Sequence, residues 1–418
     1  MTYQQERDAE ELRYLNDEIT HFISRYSSNL SNTNRKTVIL FPGGMGSQLL
    51  RASTSESDGP PYFYNIVWLD CSDILGGAAA HLRMQGDIDF DGQFVIADGP
   101  VNFPPLTPYQ GFINKCNQQQ IDYLIFGWDW RRDLCLTADF FLKVFMPLFK
   151  QRVAGLQPSP LQHLSLVGHS FGGMLIKLIL NSTNDSTVRQ LKSAVTVASP
   201  FYGYGGQLPH YFVGDPDLNP LYGSRTVTRI VSSLAGGYTL LFLDWDTFQR
   251  DGAMLAQDPN YPLPNYPILD ETTATPADPY NPQTNGAKVR YPQLYGFDWG
   301  MLGNGKTVYD QVAAPLLDTA INAKFFNIRG VTTKNGVDVN ETVTHQTWDW
   351  IDPNFDPNNV NNCPITDYLG PGDGTLPAWS TRFVHTPAAN VRTLRGDDID
   401  HMFMMNNTQV FNTLLTVI

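Results

Sequence analysis

The pentapeptide Gly168-His-Ser-Phe-Gly172 constrains this chain more than any other feature. Before it stands His163-Leu-Ser-Leu-Val167, which reads as a strand, and after it Phe171 to Asn181 carries the apolar density of a buried helix. A G-x-S-x-G between strand and helix describes a sharp, strained turn, with glycines flanking the serine because no side chain fits there. The turn lifts Ser170 Oγ clear of the backbone and sets the free N–H groups of the next helix beneath it. By chance the pattern would arise about 0.2 times in a chain of this composition, so its placement between strand and helix carries the signal. An ordinary βα turn with a capping serine is the competing account.

The neighbouring segments fit one sheet. Thr37-Val-Ile-Leu-Phe41 is a strand running into the glycine-rich Pro42-Gly-Gly-Met-Gly-Ser47. Ile121 to Phe126, Ala194 to Ala198, Phe325 to Val331 and Asn390 to Leu394 read as further strands. Helices are expected at Ala138 to Val153 and Met402 to Thr416. Strands alternating with helices predict an α/β fold, a mostly parallel sheet with helices on both faces. From Phe201 to about Lys324 the alternation lapses, apart from a helical patch around Val227 to Leu241. A length of 418 residues would allow two or three domains,. One α/β domain with a long insertion is the simpler account, because about 120 residues is too long for a plain loop. The expected organisation is a helix over 1–30, a core over 31–200, a cap over 201–324 and the rest of the core over 325–418. Above the C-terminal strand ends, where such sheets place ligands, the insertion would cover a site. Thr332 to Gly370 should line the same end.

Met1 to Arg25 is acidic and has no continuous apolar core, so it does not read as a secretory leader,. Apolar residues recur at Leu12, Leu15, Ile19, Phe22, Ile23 and Tyr26, spacings that predict a helix docked by one stripe,. No stretch reaches the roughly 18 consecutive apolar residues of a spanning helix. The cytoplasm is the expected location, or the outside if a leader has been removed. With 41 acidic against 28 basic residues and a net charge of −13, the chain is not built to neutralise a nucleic-acid backbone,. Nor is it drawn electrostatically to an anionic bilayer, although transient contact with a lipid surface by apolar insertion is compatible. A hydrophobic content of 42% excludes disorder,. Cys71, Cys116, Cys135 and Cys363 form no C-x-x-C pair, and no metal or cofactor is called for,.

A serine hydroxyl needs a base, and the base a group to orient it. In sheets of this kind the chain order is Ser, then Asp or Glu, then His. His345, His385 and His401 lie downstream. Asp373, in Pro371-Gly-Asp-Gly-Thr-Leu-Pro377, is the sharpest acid candidate because its flanking glycines permit a tight loop. His401 follows 28 residues later, after the last predicted strand, where a base would face the serine. His385 precedes that strand and is expected at the wrong end. His169 should point away from the site and pack. Asp397, Asp398 and Asp400 are rival acids whose alternative is a solvated loop capping the final helix. Oxyanion donors are expected from the N–H of Phe171 and of Gly44 in the glycine-rich loop. No G-K-[ST] follows that loop, which disfavours a phosphate cradle.

The chain resembles the lecithin:cholesterol acyltransferase and lysosomal phospholipase A2 group of α/β-hydrolases. The resemblance rests on Val38-Ile-Leu-Phe-Pro-Gly-Gly-Met-Gly-Ser-Gln-Leu49, Val67-Trp-Leu-Asp70, Gly127-Trp-Asp-Trp-Arg131, Gly168-His-Ser-Phe-Gly172, Ala198-Ser-Pro200 and Gly372-Asp-Gly-Thr-Leu-Pro377. It implies an α/β-hydrolase fold with Ser170 as nucleophile, Asp373 as acid, His401 as base, and oxyanion donors at Gly44 and Phe171. It also implies a lid, here within about 60–90, that the family flanks with a disulfide. Cys71 is the only cysteine in that segment, a departure that, with the missing leader, fits an intracellular or microbial relative. Met45 and Trp68 are the candidate substrate contacts, with a core position as the alternative for Trp68. Trp128 and Trp130, beside Asp129 and Arg131, suit a buried support beneath the site.

These readings lead to a serine esterase, lipase, phospholipase or acyltransferase of lipid metabolism. It would cleave a lipid-like carboxylic ester and pass the acyl group to water or an alcohol acceptor. Two alternatives stand beside it: a carboxylesterase for small soluble or xenobiotic esters, and a non-catalytic scaffold used for binding.

Overall fold

A computed structural model describes residues 2–28, 35–52, 64–68, 82–85, 88–89, 94–214, 224–271, 273–281, 297–348 and 365–418. Most of the expected lid, with Cys71, lies outside the described residues, as does Cys363. The central sheet is built from β1 (Thr37–Phe41), β5 (Asp122–Ile125), β6 (Leu164–His169), β7 (Ser193–Val197), β8 (Phe325–Lys334) and β11 (Val391–Gly396). Their spatial order is β11-β8-β7-β6-β1-β5 and every one of these pairings is parallel. A two-residue strand, Val337–Asp338, adds an antiparallel return on the end of β8.

β1, β5, β6 and β7 are buried along their whole length, as the continuous apolar runs require of strands covered on both faces,. Alternate residues feed two cores. Ile39 and Phe41 point into the larger one, Val38 and Leu40 into the smaller. On the larger side lie α1 (Tyr3–Ser28), α4 (Phe171–Asn181) and α3, which runs through Leu134–Phe140 and Met146–Val153 with a π-helical turn at Phe141–Phe145. The other face is covered by α2 (Gln110–Gln118) and α9 (Thr408–Leu415).

α1 docks by its expected stripe, Leu15, Ile19, Phe22 and Tyr26 being buried, with Phe22 edge-on to Phe149 of α3. The same helix also buries Arg7 and Glu11, which the apolar spacing does not reveal. No described helix is long and apolar enough to cross a membrane.

Two antiparallel additions flank the sheet. β2 (Ser47–Ala52) leaves the glycine-rich loop directly and pairs with β3 (Tyr64–Trp68) and β4 (Val95–Pro100). β9 (Asn340–Trp348) pairs with β10 (Ile365–Pro371), which delivers the chain to Asp373. Between β7 and β8 lie α5 (Gln207–Val213), α6 (Ser224–Val231), α7 (Trp245–Ala256) and α8 (Trp299–Ala313). The expected helical patch at Val227 to Leu241 is split into α6 and a 3₁₀ segment, Ala235–Leu240, against which α8 packs. α8 also packs along α4, where Gln311 O accepts from Asn181 Nδ2 at 2.9 Å.

The expected final helix is shorter than its apolar pattern. Asn406 is drawn out of the helical path, its Oδ1 accepting from Gly111 N at 2.6 Å and its Nδ2 donating to Thr107 O at 2.9 Å. Helix α9 therefore starts only after Asn407, whose side chain caps Gln409 N and Val410 N,.

Candidate active site

The strand order places a crevice where this kind of sheet binds ligands. From β1 the chain goes to β5 on one side, then crosses back to β6 on the other, and the crevice opens at the C-terminal ends of β1 and β6,. Phe41 is in register with Gly168, so the loop after β1 and the turn after β6 leave the sheet side by side.

Ser170 sits in that turn at φ 52° and ψ −125°, a conformation L residues adopt only under constraint, at a cost of about 1–3 kcal/mol,. The constraint is visible: Ser170 N donates to Val197 O at 2.8 Å, and Gly173 N to Ser170 O at 2.9 Å. A Cβ at Gly172 would collide with the carbonyl oxygens of Phe41 and Pro42, and one at Gly168 with the backbone of Gly172. The flanking glycines are therefore steric requirements of the turn.

Asp373 is fully buried, and its own loop orients it: Oδ1 accepts from Leu376 N at 2.7 Å and from Thr375 N at 3.1 Å. Gly374 takes φ 90°, which closes that loop,. Asp373 Oδ2 lies 2.8 Å from His401 Nδ1, and His401 N donates to Asp373 O at 2.9 Å. His401 Nε2 is 2.9 Å from Ser170 Oγ. The structure thus brings the three residues together in one hydrogen-bonded line. Such an arrangement can take a proton from Ser170 at Nε2 while the carboxylate holds Nδ1–H.

The glycine-rich loop closes as a turn, Gly46 N donating to Gly43 O at 3.0 Å, with Met45 at φ 61°. That bond uses neither the Gly44 nor the Met45 amide. A Cβ placed on Gly44 would stand 3.5 Å from Phe171 Cδ1, so Gly44 and Phe171 are neighbours. Phe171 is the first residue of α4, whose N–H has no carbonyl partner within the helix,. Two tryptophans hold the loop from outside: Trp128 Nε1 donates to Pro42 O at 2.9 Å, and Trp68 Nε1 to Met45 O at 2.8 Å. Trp68 is buried, edge-on to Trp130 at 5.5 Å, whereas Met45 is 37% exposed.

Behind the tryptophans lies a buried ion network. Asp129 accepts from Arg131 Nε and Nη2 at 2.8 and 2.7 Å and from Arg7 Nη2 at 3.0 Å. Arg131 also reaches Asp89 and Arg7 reaches Glu11, so α1 is tied to the site's support. Burial alone would raise the Asp129 pKa, but Arg131 and Arg7 hold it well below the ordinary carboxylate range,.

The rival residues are engaged in other bonds. His385 is beside Asn322, which precedes β8 at the other end of the sheet, and its Nε2 is 3.1 Å from Asp251 Oδ1. His345 lies on β9 against Thr344 Oγ1. Asp397 binds the turn amides of Asn335 and Gly336, and Asp400 accepts from Phe403 N. His169 does more than pack: it is hydrogen-bonded to Tyr109 and to the carbonyl of His401. Nothing in the sequence around Tyr109 signals that role. Among the described residues, no group of three or more His, Cys, Asp or Glu could hold a metal ion.

No protein-family model matches the chain, and no curated protein matches it by sequence. Among solved structures, a chain of the Tle4–Tli4 complex is 15% identical, with a TM-score of 0.52 over 92% of this chain and 98% of that one. The lipase BlEst2 of Bacillus licheniformis, in mature form, is 11% identical over 92% of each chain, with a TM-score of 0.37. The product of gene lin2722 from Listeria innocua is 13% identical, with a TM-score of 0.32 over 92% of this chain and 94% of that one. What the first match shows is shared architecture. The chain has the α/β-hydrolase fold.

Proposed function

We propose that this protein is a serine hydrolase or acyltransferase that cleaves a lipid-like carboxylic ester through an acyl-enzyme on Ser170. The observation that carries the reading is the unbroken line from Ser170 Oγ through His401 to buried Asp373. His401 Nε2 takes the Ser170 proton as Oγ attacks the ester carbonyl, and Asp373 stabilises the imidazolium that forms. The N–H groups of Phe171 and Gly44 receive the developing oxyanion. Collapse breaks the ester C–O bond, and His401 passes its proton to the departing alkoxide. Water or an alcohol then gives a proton to His401, attacks the acyl-enzyme, and releases the acid or a new ester while Ser170 Oγ regains the proton.

A lipid-like acyl group is supported by the rim. Met45 beside Gly44, Met402 and Phe403 after His401, and Phe103 in the loop that follows β4 are exposed apolar side chains. They stand on three loops joined to one another: Val101 N donates to Gly46 O at 2.9 Å, and Asn406 binds Gly111 N and Thr107 O. Large apolar side chains held in water around a cleft favour an apolar ligand.

The test is labelling with a fluorophosphonate. Wild-type protein should label and Ser170→Ala should not; equal labelling would remove Ser170 from the chemistry. With p-nitrophenyl esters, kcat/KM should rise with acyl length, whereas a steep preference for acetate would favour small soluble esters. Product analysis with a phospholipid donor, with and without added alcohol, separates hydrolysis from acyl transfer.

A further inference from the structure

We infer that His169 is a positioning residue: one neutral imidazole, wired at both nitrogens, fixes the base loop and the oxyanion loop relative to each other. The inference rests on the proposed role of Ser170 and deepens it.

The wiring follows from the hydrogen-bond inventory. Gly43 N–H can only donate, and it meets Tyr109 Oη at 2.7 Å. Tyr109 is buried, and burial pushes its pKa up, so it remains a neutral hydroxyl with one proton to give,. That proton faces His169 Nδ1 at 3.0 Å. On the other side, His169 Nε2 is 2.9 Å from the carbonyl oxygen of His401, which can only accept. Nδ1 is therefore the acceptor and Nε2 carries the hydrogen. The line runs Gly43 N–H to Tyr109 O–H to His169, and from His169 Nε2–H to the His401 carbonyl.

A positive charge would break this line. Protonated Nδ1 would turn a donor towards Tyr109, whose oxygen already receives Gly43 N–H, and would leave the phenolic proton without its acceptor. Burial, reinforced by the neighbouring His401 ring, brings the His169 pKa down to about 3 in spite of the carbonyl it binds. The two imidazole centroids are 5.1 Å apart. Because His169 stays neutral, the imidazolium forming on His401 meets no like charge behind it.

Geometry gives the line its purpose. His401 is anchored through its carbonyl by His169 and through its N–H by Asp373 O, which leaves its ring little freedom relative to Ser170. Gly43 precedes the proposed donor Gly44, and a Cβ on Gly43 would lie 2.9 Å from Ser170 Cβ and 3.3 Å from His169 Nδ1. Gly43 is thus held directly against Ser170 and His169, and small displacements there cost rate, not binding,.

The test uses His169→Leu, His169→Gln and Tyr109→Phe in the full chain, with fluorophosphonate labelling and p-nitrophenyl ester kinetics. His169→Leu should lower kcat about 10–100-fold with KM within about twofold. His169→Gln, which can still donate near the Nε2 position, should recover most of that loss. Tyr109→Phe should cost about 5–20-fold, and the double variant His169→Leu/Tyr109→Phe no more than His169→Leu alone, because both act through one line. Should the leucine variant not fold, the glutamine variant and Tyr109→Phe carry the same comparison. In wild-type protein, ¹⁵N NMR should show one imidazole with Nε2–H and a bare Nδ1, not titrating between about pH 5 and 9. Wild-type kcat in His169→Leu, a loss confined to KM, multiplying losses, or a titrating His169 would overturn the inference. Wild-type protein that neither labels nor hydrolyses would instead overturn the Ser170 reading, and the NMR result would still decide the wiring.

Discussion

Among the described residues, two histidines sit against fully buried aspartates, one at each end of the sheet. His401 Nδ1 lies 2.8 Å from Asp373 at the C-terminal strand ends; His385 Nε2 lies 3.1 Å from Asp251 on the far side. Both carboxylates are fully buried. Asp373 is satisfied by backbone amides and one imidazole, and among the described residues no Lys or Arg reaches it. Its charge is directed at His401. Asp251 instead accepts Arg250 on both oxygens, at 2.8 and 2.7 Å, and Tyr202 Oη at 3.1 Å. A permanent cation already neutralises that carboxylate, so its charge is not directed at one imidazole. The other difference lies across the ring. His401 offers Nε2 to a strained serine, whereas His385 spends Nε2 on the aspartate itself. A histidine–aspartate contact is thus a structural tie until its second nitrogen meets a nucleophile.

The same substitution in both pairs gives the largest contrast. Asp373→Asn should lower kcat about 10³–10⁴-fold, because the amide favours the wrong imidazole tautomer while leaving the fold in place. Asp251→Asn should leave kcat within about twofold, yet cost about 1–3 kcal/mol of stability, since Arg250 loses its charge partner but is partly exposed and can be solvated,. Ester kinetics beside urea unfolding read both. A large kcat loss in Asp251→Asn would erase the distinction between the two pairs.

The sequence disclosed the first pair more readily than the second for a physical reason. The turn around Ser170 and the loop around Asp373 impose local steric demands, met only by glycines at Gly168, Gly172 and Gly374, so their signatures lie within a few residues. Parallel strands were legible as apolar runs: β1 and α4 have the expected limits, and the other expected strands shift by one to three residues. Antiparallel β2–β4 and β9–β10 were not, because their registers are bulged and β9 turns polar Thr342, Thr344 and Gln346 inward, where the apolar pattern of a strand gives no signal. Buried charges escaped too. Arg7 and Glu11 look like the polar side of α1 until Asp129, 122 residues away from Arg7, is folded against them. His169 and Tyr109 likewise meet only in space.

The smallest predicted effect concerns pH. Burial alone would raise the Asp251 pKa, but the hydrogen bonds and charges of Arg250 and His385 outweigh it and hold the carboxyl below its ordinary value. A carboxylate with a depressed native pKa stabilises the fold above the unfolded-state pKa of about 4 and loses that contribution as the pH falls through the native value. The stability gap between wild type and Asp251→Asn should therefore be widest near neutral pH and narrow below about pH 4, as the wild-type carboxylate takes up its proton. Urea unfolding of both proteins at about pH 7, 5 and 3.5 measures the gap. A gap that stays constant with pH would mean that Asp251 contributes shape and hydrogen bonds but no charge, and the contrast with Asp373 would then rest on the serine alone.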